Sequence, residues 1–175
     1  MTLPLAGLLT LVIQVSPSDI SVERRFEFTS LEMAAPARIV LYTSDEDRAS
    51  DAARAAFGRI RELNSILSDY DPSSELSRLC REATEGVEVD VSDDLWRVLT
   101  RAGEISQASG GAFDASIGPL VELWRRARRE HRLPAPELLE AARGLVDHRL
   151  VRCHPDRSAV TLLRPGLRLD LGGIA

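Results

Sequence analysis

Two segments of this chain combine paired glycines with a carboxylate: Ser109-Gly110-Gly111-Ala112-Phe113-Asp114 and Leu169-Asp170-Leu171-Gly172-Gly173-Ile174-Ala175. Glycine has no Cβ, so the backbone of such a turn can approach an anion closely, and the nearby aspartate can accept from a ligand hydroxyl or hold a cation. Two turns of this kind point to a phosphate or nucleotide ligand. Asp114 is the candidate for a ribose or a metal-bound water. Taken alone, the first turn favours a helix C-cap, in which Gly110 or Gly111 takes left-handed backbone and Phe113 fills the core. Tyr70, in the turn Asp69-Tyr70-Asp71-Pro72, can stack on a planar ring or cover the adjacent helix. The last segment reads as a strand carrying Asp170 into a turn, with the strand-turn-helix expected to continue beyond Ala175.

Other chemistries are excluded by what the sequence lacks. All 22 basic side chains are arginine, so neither a Schiff-base lysine nor a P-loop lysine is present. Cys80 and Cys153 have no Cys-x-x-Cys spacing and read as buried thiols, or as one disulfide in an exported protein. His131, His148 and His154 lack a metal-binding spacing and are expected at the surface. A formal net charge of -5 argues against a nucleic-acid partner, which requires a cationic face. The single basic run, Arg125 to Arg132, reads as a solvated helix face. Trp96 and Trp124 are expected in the core, and Glu75 with Arg78 as an exposed helical ion pair.

The elements that must position these residues are a mixture of strands and helices without regular alternation, which indicates an α+β fold. The apolar run Met1 to Ser16 is too short to span a bilayer and fits the length of a signal-peptide core, although it lacks a positive leading segment. Residues 1–21 are therefore expected to be a signal peptide or an N-terminal extension. Export, or association with the periplasmic side of a membrane, is the expected placement, with the cytoplasm as alternative. Residues 22–175 form the domain. Strands are expected over Val22–Thr29 and Pro36–Thr43, linked by Ser30 to Ala35, followed by a helix capped by Ser44 and carrying Ala49, Ala53, Ile60 and Leu67 at helical spacing. Helices follow through Leu76 and Leu79, after Ser92, from Pro119 through Trp124, and over Glu137–Arg143. A short strand over Gly86–Val91, a hairpin of Arg149–Cys153 with Ala159–Leu163, and a last strand over Leu167–Leu171 complete the reading.

Taken together, Met33, Leu67 to Leu79, Ser109 to Asp114, Gly118-Pro119-Leu120-Val121-Glu122-Leu123-Trp124 and Leu169 to Ala175 follow the order and spacing of the ApbE family. From about Phe26 to Ala175 the chain resembles the N-terminal part of a flavin transferase of that family. The resemblance implies a magnesium-dependent reaction: FAD is cleaved at its pyrophosphate, AMP leaves, and FMN becomes phosphoester-linked to a threonine or serine of an acceptor flavoprotein. Acceptors implied are subunits of sodium-pumping NADH:quinone reductases and related electron-transfer complexes. It also implies that Met33, Tyr70, Ala112, Phe113, Asp114 and Asp170 contact FAD, and that the Gly173 carbonyl is a magnesium ligand. No side chain is assigned as catalytic. Departures from the family pattern are Met33-Ala34-Ala35 in place of Met-Gly-Thr, Arg125-Arg126-Ala127 in place of glycine-aromatic-glycine, and the absence of the lysine expected after Ala175. The alternatives are an FAD pyrophosphatase and a flavin-binding remnant without activity.

Overall fold

Arg24–Glu32, which alternates between exposed and half-buried positions over Arg25–Leu31, and Ala35–Thr43, with Ile39, Val40 and Leu41 half-buried in succession, make two antiparallel strands, β1 and β2, paired from Arg24↔Thr43 to Glu32↔Ala35. The computed structural model describes residues 22–33 and 35–175. The apolar N-terminal run expected as a leader, and Ala34, lie outside the described residues. The link is shorter than the expected Ser30 to Ala35, because Ser30 to Glu32 continue the ladder against Ala35 to Ala37. Met33 has φ 49°, the left-handed backbone that a two-residue hairpin turn favours.

The helix α1, Glu46–Leu67, is capped by Asp45 rather than by Ser44: Asp45 Oδ1 accepts the Arg48 N–H at 3.0 Å. The chain divides into two compact units, one ending at Phe57 and the other comprising Gly58–Ala175. The candidate site, Met33 excepted, belongs to the second.

In that unit α2, Glu75–Glu82, starts at Ser74, whose hydroxyl caps the Ser77 N–H. A three-stranded antiparallel sheet of β3 (Glu88–Asp90), β4 (Val151–His154) and β5 (Ala159–Leu162) has the order β3-β5-β4. The central strand β5 is buried along its whole length. Helix α3, Asp93–Ala108, begins as the sequence predicts, with Ser92 capping the Leu95 N–H and Asp93 and Asp94 in the positive first turn. Its buried stripe includes Leu95, Leu99 and Ala102. Helix α4, Gly118–Glu130, has proline in its first turn, and α5 covers Pro136–Arg143. Two short 3-10 turns, Ala115–Ile117 and His148–Leu150, are not foreseen by periodicity.

Leu167, Leu169 and Leu171 are buried in alternation with the exposed Arg168 and half-buried Asp170, as expected of a strand. This extended segment nevertheless joins no ladder among the described residues. Its backbone contact is Asp170 N–H to the Ala115 carbonyl at 2.8 Å. The three leucines complete a core with Leu76, Leu79, Leu95, Leu99, Val160 and Leu162. Each buried leucine contributes about 1.5–3 kcal/mol through removal of apolar surface from water. The start of α4 crosses the segment so closely that a Cβ on Gly118 would lie 2.5 Å from the Arg168 carbonyl oxygen. Only glycine fits there.

Candidate functional site

The first glycine turn is built as a helix C-cap. Gly110 and Gly111 have φ 63° and 83°, and their N–H groups return to the Gln107 and Ser106 carbonyls. The next two amides are also engaged, Ala112 with the Ser109 carbonyl and Phe113 with Ser109 Oγ. No amide from Gly110 to Phe113 is left to cradle a phosphate, which corrects the anion-binding reading of this turn. What the loop offers instead is acceptors: the Ala112 and Phe113 carbonyls receive no hydrogen bond among the described residues. Such oxygens suit ligand N–H and hydroxyl groups.

Asp114 is held rather than free. Its Oδ1 accepts the Ser116 N–H at 2.8 Å and the Ser116 hydroxyl at 2.7 Å, and its Oδ2 accepts the His148 N–H at 2.7 Å. Ser116 Oγ in turn accepts the Asp147 N–H at 2.8 Å. Only 9% of the Asp114 side chain is exposed, and His148 Nδ1 lies 3.8 Å from it. The carboxylate thus fastens one 3-10 turn to the other and fixes the loop that carries Ala112 and Phe113. His148, expected as a surface histidine, is half-buried because its backbone completes this brace.

The second turn meets the first. A Cβ on Gly173 would come within 3.2 Å of Phe113 Cε2, so the Phe113 ring rests on the Gly172-Gly173 backbone. Asp170 Oδ1 accepts the Gly172 N–H at 2.9 Å, and the Leu171 carbonyl accepts the Ile174 and Ala175 N–H groups at 2.9 and 2.8 Å. The Gly173 carbonyl accepts none among the described residues.

On the other side of Asp170, two helical turns along α4 from Gly118, stands Arg125. One nitrogen donates to Asp69 Oδ2 at 2.6 Å, a second lies 3.5 Å from Asp170 Oδ2, and the guanidinium stacks 3.9 Å from the centre of the Tyr70 ring. Burial alone would lower the Arg125 pKa, but the hydrogen bond and charge of Asp69 outweigh it and hold the group above its ordinary value. Tyr70 is nevertheless 76% exposed, so its face away from the guanidinium is open. Asp69, Tyr70 and Arg125 border a cleft of about 320 Å³ lined also by Glu122, Arg129, Arg168 and Gly118. That volume is near the low end of small-molecule pockets, roughly 300–1,000 Å³.

Tyr70, Asp170, Phe113, Asp114 and Gly173 are therefore brought together around the extended Leu167–Leu171 segment, with Ala112 on the same loop. Met33 lies at its hairpin tip in the other unit, 46% exposed. The basic run conceals the residue that sequence reasoning missed: Arg126, Arg128, Arg129 and Arg132 are exposed as expected, whereas Arg125 turns inward. Its signal was the spacing of Glu122, Arg125 and Arg129 at i, i+3 and i+7, one helix face, and all three line the cleft.

Two further expectations need correction. Trp124 is 52% exposed, because the inward positions of α4 are taken by Arg125 and its neighbours, while Trp96 does pack against the core. Glu75 and Arg78 do not pair: Glu75 accepts the Ser92 N–H at 2.6 Å, tying α2 to the start of α3, and Arg78 donates to the Ser73 carbonyl. Cys80 and Cys153 are free thiols whose pKa values burial pushes up. Among the described residues no cluster of three or more histidine, cysteine or acidic side chains could hold a metal ion. Magnesium requires a near-octahedral oxygen shell. The Gly173 carbonyl and the Asp170 carboxylate are suitable donors, but they do not make that shell by themselves.

An α+β chain with this arrangement has the fold of flavin transferases. It superposes on "Flavin Transferase ApbE" from Vibrio cholerae with a TM-score of 0.74 at 23% identity, covering 85% of this chain and 48% of that one. The flavinyl transferase ApbE of Pseudomonas stutzeri, apo form, gives the same TM-score at 23% identity, over 90% of this chain and 52% of that one. The ApbE family model matches residues 33–175, and the chain belongs to that family. Among curated relatives, the FAD:protein FMN transferase of Klebsiella pneumoniae is 29% identical over 155 residues, 89% of this chain and 48% of the relative. That of Treponema pallidum is 31% identical over 129 residues, 71% of this chain and 35% of the relative. The chain spans about half the length, or less, of the curated relatives it matches.

Proposed function

We propose that this protein is part of an FAD:protein FMN transferase. The observation that carries the reading is the convergence of Tyr70, Asp170 and the Phe113-Gly173 contact on one extended segment, in a chain whose curated relatives bear that name. Tyr70 offers an open ring face for stacking, the Ala112 and Phe113 carbonyls offer acceptors, and Asp170 stands between the two turns. Met33 is assigned to the same ligand. Asp114 acts through the loop it fastens.

In the proposed reaction a threonine or serine hydroxyl of an acceptor flavoprotein attacks the phosphorus on the FMN side of the FAD pyrophosphate. The new oxygen-phosphorus bond forms as the bond to AMP breaks, and the hydroxyl proton is released. Magnesium, which the Gly173 carbonyl would help to hold, would supply neutralisation of the negative charge that develops in the transfer. This chain's residues bind and orient the flavin nucleotide. The acceptor proposed is a flavoprotein subunit of a sodium-pumping NADH:quinone reductase or a related electron-transfer complex. The apolar N-terminal run supports export, so that the protein and its acceptor meet outside the cytoplasm.

The test supplies FAD and magnesium to the protein expressed from its complete gene, with and without such an acceptor subunit. Covalent addition of FMN to the acceptor, with AMP released in equal amount, is the expected result. FMN and AMP appearing free, with an unmodified acceptor, would instead make the protein a pyrophosphatase.

A further inference from the structure

Arg125 is the point at which the two sides of the cleft meet, yet nothing in the reading above requires it. It approaches two carboxylates, Asp69 at 2.6 Å and Asp170 at 3.5 Å, while lying flat beneath Tyr70 at 3.9 Å. A planar guanidinium, with its donors fixed in a fork and its face free to stack, suits two oxygens and a ring at once. The surroundings define what it does there. Asp69 and Asp170 are mostly shielded, with side chains 18% and 15% exposed, and unpaired they would place negative charge where an anionic ligand must approach. Arg129 and Arg168 line the same cleft and form no ion pair among the described residues, and Glu122 is the remaining acidic group in its wall. With Arg125 in place, the cleft carries three cations against Asp69, Glu122 and the adjoining Asp170.

We infer that Arg125 is a positioning residue of the flavin-nucleotide pocket: it neutralises Asp69 and Asp170 towards the phosphate-bearing ligand and supports the Tyr70 ring from behind, leaving the outer face to stack. The inference rests on the reading of the cleft as a flavin-nucleotide site.

Titration of flavin fluorescence with the protein, using FAD and riboflavin separately, tests it. Arg125→Gln keeps a planar group beside Tyr70 and removes the charge; it is expected to weaken FAD binding about tenfold and to leave riboflavin, which has no phosphate, within about twofold. Arg125→Ala also removes the support under Tyr70 and is expected to weaken riboflavin as well. Arg101→Ala, which breaks only an exposed pair with Glu104, is the control for loss of a surface charge. Melting temperatures measured in parallel identify any variant that fails to fold. The inference is overturned if Arg125→Gln binds FAD like the unsubstituted protein, or loses FAD and riboflavin equally. Either result leaves the flavin reading standing. If the unsubstituted protein binds no FAD, that reading falls and the role of Arg125 falls with it.

Discussion

At the scale of single residues, the electrostatic effects around the site differ in kind. Most ion pairs here are exposed and contribute little, as for Arg54 with Asp51 or Arg101 with Glu104. Asp147 is different because its backbone N–H binds Ser116 Oγ while its carboxylate holds Arg149. The hydrogen bonds from the Arg149 side chain bring its pKa down from the ordinary 3.8 to about 2. A carboxylate depressed in the folded state stabilises the protein above its unfolded pKa, and the contribution disappears as pH falls through the folded value. The stability advantage over Asp147→Asn should therefore be constant above 3.8 and shrink towards zero as pH approaches about 2. Urea titrations of both proteins at several pH values measure it. An advantage that does not change across that window would exclude Asp147 ionisation as its source. Arg149 is 78% exposed, so solvent screening keeps the effect small.

Elements are where the sequence was most and least informative. Helices α3, α4 and α5 were legible because their starts are written locally, in Ser92 with its two acids and in prolines at the first turn. The hairpin β4-β5 was legible in its pairing, although Arg149 and Leu150, expected in its first strand, lie in a 3-10 turn. The 3-10 turns were not, since their stabilising bonds come from Asp114, Ser116 and Asp147, distant in sequence or coming from side chains rather than from a periodic backbone pattern. The inward turn of Arg125 was hidden within a run of arginines, and the absence of a ladder beside Leu167–Leu171 depends on what lies next to it, which alternation cannot report. The brace gives a prediction of its own. Asp114→Ala leaves the Ser116 and His148 N–H groups without their acceptor, at a cost of about 1.5–3 kcal/mol for lost bonds to a charged group. Unfolding in denaturant should show that loss. FAD affinity should fall more than for Glu82→Ala, a change on an exposed face. Equal dissociation constants for the two variants would detach the brace from the ligand loop.

For the molecule as a whole, the twelve-residue buried cluster is drawn entirely from residues between Leu67 and Leu171, all in the second unit. Up to Leu31 in β1 and throughout β2 every residue is exposed or only half-buried. A two-stranded ribbon is marginal without apolar cover, and local opening follows the density of buried contacts. Amide hydrogen exchange should therefore be faster along Arg25–Ser30 than along β5 and the buried face of α3. Uniform protection in the two regions would contradict this. Both tryptophans lie in the second unit, in opposite environments: Trp96 packs against the core with its indole N–H on the His154 carbonyl at 2.9 Å, and Trp124 is half in water next to Arg125. The protein thus carries two intrinsic optical reporters of different colour. Iodide should quench the long-wavelength emission of Trp124 and spare Trp96, so that the two colours separate events at the surface of the second unit from events in its core.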